Sequence, residues 1–536
     1  LLLAGCGGSA PLPDTALAPA PDAALCAPDQ APLRLEGEIG PADTRQYQVL
    51  PFTVGAGTGR VEVAYGWVEN PGLPATPLTA TTLDLGLYDA RGLFVPEGFR
   101  GWGGSRQGRI DRGQPPVFVE AATADRGFVP GPIEPGTWHV ELGIAASSPQ
   151  GATWEVVIQC LQAGGRRPDP DPVDPGHIAR SGPGWYHGDF HMHAFHSQPD
   201  GPDDEDFIAQ SRAAGLDFLM VTEYVMGRHW ETLGAVQRRH PDLLIWPGRE
   251  IITYFGHANT HGETPSTVDY RHGFEDVSLG EIQRRTKADG ALFQINHPTI
   301  FPGPVFQNLC RGCEFELDEA IDFALVDTIE VLTGPILATG ADLGLPLPGQ
   351  IEQPFVTTAI WYWEDKLRQG HKITAVSGSD SKGVDTPEER ARKGYGSSAT
   401  AVFANELSRP ALRAAIQAGH AYVRTRGVSG SPEVEFEGET ADGQRGIYGD
   451  VLQVAADEAV TLRTTVRGGT GQLLTLFRNG LPMRVVAVTG DPFVHEQTAR
   501  RDPLGEGPLG TFWRIELRDA QTRTVIGNPI FLQPPG

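Results

Sequence analysis

The chain has 536 residues, 43 of them basic and 67 acidic, for a formal net charge of −24. That balance excludes a nucleic-acid surface, which needs clustered Lys and Arg to displace counterions from phosphates. The length suffices for about three to four domains, and only five bases are lysine: Lys287, Lys366, Lys372, Lys382 and Lys393.

The opening LLLAGC resembles the end of a bacterial lipoprotein signal, with Ala4, Gly5 and Cys6 as a lipobox in which Cys6 carries the lipid. The expectation is an exported protein, facing the periplasm or the cell surface, that touches the membrane only through a lipid anchor at Cys6. Residues 1–25 then form a signal remnant and a Pro/Ala/Gly-rich tether. A truncated core strand is the alternative. No later stretch reaches the ~18 apolar residues of a membrane helix.

From 26 to 162, period-2 alternation recurs between Gly/Pro turns, as at Val61, Val63, Tyr65, at Leu83, Leu85, Leu87 and at Trp138, Val140, Leu142. It predicts an N-terminal β-sandwich. Cys26 and Cys160 bracket this region and, in an exported chain, would form a disulfide; two buried thiols are the alternative. Residues 163–182, with GGRRPDPDPVDPG, read as a stiff extended linker.

From 183 to 427 the pattern becomes strand, helix, strand. Seven apolar runs, GWYHGDFHMH, LDFLMVTEY, LLIWPGREII, ALFQINHP, DTIEVLTG, ITAVSGSDS and ATAVFANE, mostly follow helical segments that stop at Gly215, Gly290 and Gly370. Ser278 to Glu281 reads as a capping box. This alternation predicts an α/β barrel or a doubly wound sheet, with its functional mouth at the strand C-terminal ends. Cys310 and Cys313 make a lone C-x-x-C. Without further ligands in register or a thioredoxin-like context, a local loop-pinning disulfide is expected. The loops Pro302 to Glu316 and Thr333 to Pro354 would set specificity. From 428 to 536 alternation returns, with a hairpin at Asn479-Gly480, and predicts a smaller C-terminal β-sandwich.

The strand ends carry the chemistry. His191 and His193 stand two apart on one strand, so both imidazoles point to one side. Thr222, Glu223, Tyr224, Glu250, His257, His297, Glu330 and Asp380 occupy or follow the ends of later runs. Singly each has an ordinary structural explanation; together they form an inventory of metal ligands.

In that order, GDFHMHAFHSQPDG, AAGLDFLMVTEY, PGREIITYFGHANTHG, QINHP, IEVLTG and GHKITAVSGSDSKG resemble the motifs of the polymerase-and-histidinol-phosphatase (PHP) superfamily. Within it they are most similar to the CehA/McbA-type, carbaryl-hydrolase-type metallohydrolases. The resemblance spans residues 185–425, with similar flanking segments in the first domain and at the C-terminus. It implies a distorted seven-stranded (β/α) barrel whose mouth binds metals. His191, His193, Glu250 and Asp380 would hold a first divalent ion, and Glu250, His257 and His297 a second, with Glu250 bridging. Zinc, manganese and iron all suit this set.

Superfamily members with a third metal carry Asp-His where this chain has Glu223-Tyr224, and Ser-Asp-x-His where it has Ser379-Asp380-Ser381-Lys382. A charged lysine has no lone pair for a metal, but its ammonium can stand in for a cation. Two metals are therefore expected. Lys382 either pairs with Asp200 and steadies a substrate oxygen or is a relic, and Asp200 is either its partner or a ligand. His196 is either a donor or proton carrier behind the ligands or a plain loop histidine. Lys382, Tyr224, Glu223 and His196 are the candidate catalytic residues.

The functional expectation is a metal-dependent hydrolase in which a hydroxide activated by two metals attacks a small-molecule ester-type bond: phosphoester, carboxyl ester or carbamate. The competing reading is a non-catalytic surface-binding lipoprotein with a degenerate barrel.

Overall fold

The computed structural model describes residues 23–535 except 94, 197–200, 263–267, 304–305, 307, 344–347 and 384–385. Cys6, the tether and Asp200 therefore lie outside the described residues. The chain is α/β, rich in sheet and with few helices.

Two N-terminal sheets face each other. One runs Leu25–Cys26, Gln46–Val54, Gly136–Ala146, Thr82–Tyr88, Phe99–Gly104, and the other Leu33–Ile39, Ala152–Leu161, Arg60–Glu69, Val117–Glu120. Alternate residues of both, including Phe52, Val63, Leu85, Trp138 and Val156, fill one core. A disulfide joins Cys26 of the first sheet to Cys160 of the second across a separation of 134 residues. Closing so long a loop restricts the unfolded chain by about 5 kcal/mol in the loop-entropy picture.

The central sheet begins with three parallel strands, Gly184–Met192, Phe218–Tyr224 and Leu244–Thr253. Gly256–His261 then returns antiparallel, and Leu292–Ile295, Thr328–Thr333 and Thr374–Gly378 resume the original direction. The ends of this run meet: Met192 bridges to Ser381, and the Asp380 N–H donates to the His191 carbonyl at 2.8 Å. A side chain at Gly378 would collide with the Cβ of His191, so glycine permits this approach. Two details differ from the sequence reading. ATAVFANE supplies Ala399–Ala404, which lies antiparallel beside Gly184–Met192, and the unexpected Gly256–His261 takes its place in the run. Gly256–His261 reads as polar (GHANTH) yet all six residues are buried, because their polar groups bond inside the domain.

Helix Leu279–Ala288 is capped by Ser278, whose hydroxyl accepts from the Glu281 N–H at 3.3 Å; the Glu281 carboxylate pairs instead with Arg284 and Arg285. Helix Phe355–Gln369 ends at Gly370, φ 102°. Among the described residues no helix is long and apolar enough to cross a membrane.

The C-terminal strands are not a detached module. Ala421–Arg424 pairs with Ala399–Ala404 on one side and Arg523–Gly527 on the other, so the sheet runs on without a break. The Asn528 side chain accepts from Ala375 N at 2.8 Å and donates to the carbonyls of Ala375 and Ala421, holding the last central strand from behind.

The N-terminal sandwich docks through buried polar pairs. Asp84 accepts from Tyr254 at 3.0 Å and Arg311 at 3.2 Å; Glu141 accepts from Tyr270 at 2.7 Å and Arg271 at 3.1 Å. Tyr88, Phe99 and Trp102 share a core with Tyr224, Ile252 and Tyr270 of the central domain.

Two buried histidines set a pH limit on this fold. His229 lies 2.6 Å from the Gly248 carbonyl, His261 lies 3.4 Å from Gln294, and burial pushes both rings down to about 3. Both stay neutral when folded, whereas the unfolded chain protonates them below about 6.5. Stability should therefore be full above about pH 6.5 and fall as pH drops towards 3, by about 1.4 kcal/mol per pH unit for each ring. Denaturant midpoints measured across that range check this, and His261→Gln should flatten the slope.

A candidate metal centre

One carboxylate gathers four imidazoles. Glu250, on Leu244–Thr253, places Oε1 3.4 Å from His191 Nε2, 3.1 Å from His257 Nδ1 and 3.7 Å from His297 Nε2, and Oε2 3.2 Å from His193 Nε2. Asp380 Oδ1 lies 3.1 Å from His193 Nε2 and 3.6 Å from His191 Nε2. The five residues other than Asp380 are buried; Asp380 and Lys382 keep 30% and 27% side-chain exposure, so they face the opening.

The tautomers follow from what holds the far side of each ring. His191 Nδ1 donates to Glu330 Oε2 at 3.2 Å, His257 Nε2 to the Arg311 carbonyl at 2.6 Å, and His297 Nδ1 to the Cys313 carbonyl at 3.2 Å. Each leaves a lone pair on the nitrogen turned towards Glu250. His191 Nε2, His193 Nε2 and His257 Nδ1 are buried without a hydrogen-bond partner. Burying such atoms unsatisfied costs stability unless something else occupies their lone pairs. Divalent cations fit that requirement. Ligand atoms of His191, His193, Glu250 and Asp380 lie within 4.8 Å of one another. Cys313 sulfur groups with His257 and His297, but it is bonded to Cys310 and offers no thiolate.

The acids stay ionised although buried. Burial alone would raise Glu250; where protons rather than cations fill the facing lone pairs, the imidazolium charge, that of His191 foremost, outweighs burial and holds Glu250 well below the usual range. Burial would likewise raise Asp380, and Lys382 and His191 overcome it. His191 and Asp380 are also oriented from below. Asp189 accepts from the N–H groups of His191 at 3.1 Å, Ser379 at 2.8 Å and Gly396 at 2.9 Å, and burial raises its carboxyl to about 6.

The candidate catalytic residues fall in different places. Lys382 Nζ bonds Asp380 Oδ1 at 2.8 Å and lies 5.7 Å from the Tyr224 ring. Tyr224 packs on His193, centroids 4.1 Å apart, and on Trp102 of the N-terminal domain. Glu223 Oε1 accepts from Ala194 N at 3.0 Å and His196 N at 3.1 Å, fixing the chain beyond His193. His196 turns to Thr232, 3.1 Å away, and to His229, and burial keeps its ring neutral. Thr222 accepts from Met192 N at 3.0 Å.

The loop 309–313 was readable only as a pinned loop. Its carbonyls orient two ligands, and backbone oxygens leave no signature in a sequence. Gly312, φ 81°, is needed there, since a side chain would lie 2.5 Å from the Thr253 carbonyl. The Arg311 side chain reaches across to Asp84 and Ser105.

A cavity of about 490 Å³ opens over the cluster, lined by Glu250, His257, His297, Asp380 and Lys382 and by residues of the N-terminal domain. A second, about 280 Å³, adjoins it and shares Phe301, Thr333, Gln353, Asp380 and Lys382.

No protein-family model matches this chain, and no curated protein matches it. Among solved structures it is similar to a two-domain protein from Bacteroides vulgatus containing a predicted PHP-like metal-dependent phosphoesterase, at 19% identity over 69% of this chain and 100% of that one, with a TM-score of 0.35. A superposition that loose assigns no residue here.

Two substitutions separate ligands from their supports. Glu250→Gln should remove most bound metal, because the carboxylate that every imidazole faces loses its charge. Glu330→Gln keeps an acceptor for His191 but weakens it, and should lower metal affinity by about 10- to 100-fold. Elemental analysis and competition with a chelator read both.

Proposed function

We propose that the protein is a metal-dependent hydrolase of ester-type bonds, a PHP-type enzyme nearest the CehA/McbA-type group, whose central strands form a distorted seven-stranded barrel. One observation carries it: buried imidazole nitrogens without partners converge on two carboxylates, while the opposite nitrogens of three rings are held by acceptors. A structural ion pair needs no such arrangement. His191, His193, Glu250 and Asp380 would hold one divalent ion and Glu250, His257 and His297 another, of zinc, manganese or iron.

Two such ions, when bound, supply Lewis acidity and an activated water nucleophile. The rest is the work of the chain. Glu250 and Asp380 neutralise the cations, and Glu330, Arg311 and Cys313 keep three imidazoles deprotonated towards them. Burial would lower the Lys382 ammonium, but Asp380 outweighs it, so it stays charged at the opening where a substrate oxygen gains negative charge. On this reading Lys382 takes the place of a third cation. The phenol of Tyr224, raised by burial, stays protonated beside it. His196 and Glu223 act by fixing the loop after His193. We further propose export, supported by the two disulfides, with lipid anchoring at Cys6.

Turnover of aryl phosphodiesters, phosphomonoesters, carboxyl esters and carbamates, with and without zinc or manganese, tests the proposal. Metal-dependent turnover of one class is expected; turnover of none would favour the binding lipoprotein. Lys382→Ala should cut kcat by about 10²-fold or more while retaining two metals per chain, and an unchanged kcat would mark Lys382 as a relic.

A further inference from the structure

The Cys310–Cys313 disulfide stands in the wall of the cavity over the metal centre, and the hydrolase reading gives its sulfurs no part. Both cysteines line that cavity together with Glu250, His257 and His297. The Cys313 sulfur and one ring nitrogen from each of His257 and His297 lie within 4.8 Å of one another. Two imidazoles and a thiolate are donors that zinc-like ions accept readily. Only the bond to Cys310 withholds the third of them, because a disulfide sulfur carries no thiolate charge.

The two sulfurs differ in access. Cys310 is partly exposed, whereas Cys313 is buried, so a thiol entering the cavity meets Cys310 first. The loop is also held on both sides of the pair by bonds that involve no sulfur. Asn308 donates to the Ala80 carbonyl at 2.7 Å and the Arg311 guanidinium to Asp84 at 3.2 Å. Beyond the pair, Phe315 N donates to the Pro298 carbonyl at 3.0 Å and Glu316 N to the Phe255 carbonyl at 2.7 Å. Reduction removes one restraint and keeps these, which leaves a freed Cys313 beside the two imidazoles.

We propose that Cys313 is a redox-gated ligand for the ion position assigned to Glu250, His257 and His297. With the disulfide closed, that position has three protein ligands and a place open to water or substrate. With the disulfide reduced, the Cys313 thiolate completes a four-ligand set and closes it, which is the difference between catalytic and structural zinc sites. The reductant is a dithiol. One of its thiolates attacks the Cys310 sulfur, the bond between the cysteines breaks, and Cys313 leaves as a thiolate. The second thiolate then attacks the mixed disulfide, which releases Cys310 and leaves the dithiol as a cyclic disulfide. Two electrons have passed to the protein; of the dithiol's two protons one ends on Cys310 and the other in solvent, since Cys313 stays ionised among cationic ligands. This rests on the hydrolase reading, and a spectrum of bound metal keeps the two separable, since it requires no turnover.

The probe is cobalt(II), added to the full chain as oxidised wild type, as wild type reduced with a phosphine that is then removed, as Cys310→Ser and as Cys310→Ser/Cys313→Ser. Cys310→Ser frees Cys313 without any reductant, and the double variant opens the same loop without a thiol. A near-ultraviolet thiolate-to-cobalt charge-transfer band should appear in reduced wild type and in Cys310→Ser and be missing from the other two. Competition with a chelator should show one cobalt held about tenfold or more tighter in Cys310→Ser than in the double variant. Cobalt bound by Cys310→Ser without the band would overturn the proposal and leave the hydrolase reading standing. Equal affinity in the single and double variants would overturn it too, as an effect of the loop alone. Failure of every form to bind cobalt would remove the metal centre itself, and both readings with it.

Discussion

A carboxylate buried among four imidazoles is unstable as a dry arrangement, and much of the molecule answers that constraint. Glu250 is buried away from solvent that would stabilise its charge, and His191 Nε2, His193 Nε2 and His257 Nδ1 beside it have no hydrogen-bond partners. The site is coherent when cations take those lone pairs, and the rest of the chain fixes which nitrogen faces inward. Glu330 does this from one strand, and the Arg311 and Cys313 carbonyls from one loop. Losing any of them frees a ring to rotate or change tautomer, without removing a ligand.

The support extends past the central domain. The segment 309–313 orients two histidines by its carbonyls, and its own position depends on the Cys310–Cys313 disulfide, on Gly312 and on the bonds of Arg311 and Asn308 to the N-terminal sandwich. Asp84 is buried, and burial raises its carboxyl, so it costs stability unless Arg311 and Tyr254 approach it. The same contact therefore satisfies a buried acid in one domain and locates a metal-orienting loop of another. A sandwich docked in this way is part of the site, and its separate removal would leave the loop unsupported.

Side chains were the legible part of this architecture. Two histidines in alternate strand positions, an acid or imidazole at successive strand ends and glycines after helices all have periodicities a sequence displays, and the structure gathers His191, His193, Glu250, His257, His297 and Asp380 into one cluster. The α/β pattern was legible for the same reason. Gly256–His261 was not, since buried Asn259 and His261 mimic a loop until their partners Asn296, Phe190 and Gln294 are known. Nor could Ala399–Ala404 be told from a parallel strand, because alternation carries no direction. The sequence also gave no hint that the sheet would run on into the C-terminal strands, which depends on pairing between residues about a hundred positions apart.

Backbone geometry explains why two ligands sit where they do. His297 and Asp380 both have left-handed backbone, φ 28° and 45°, a conformation that costs a non-glycine residue roughly 1–3 kcal/mol. Neither is free to relax. His297 N donates to Glu330 at 3.1 Å and its ring to Cys313, while Asp380 N donates to the His191 carbonyl at 2.8 Å. The strand ends are thereby turned inward by bonds that also set the histidines they bond to: Glu330 holds both His191 and His297, and the His191 backbone holds Asp380. The two proposed ligand sets are consequently linked through Glu330 as well as through Glu250, so a disturbance in one set is felt in the other.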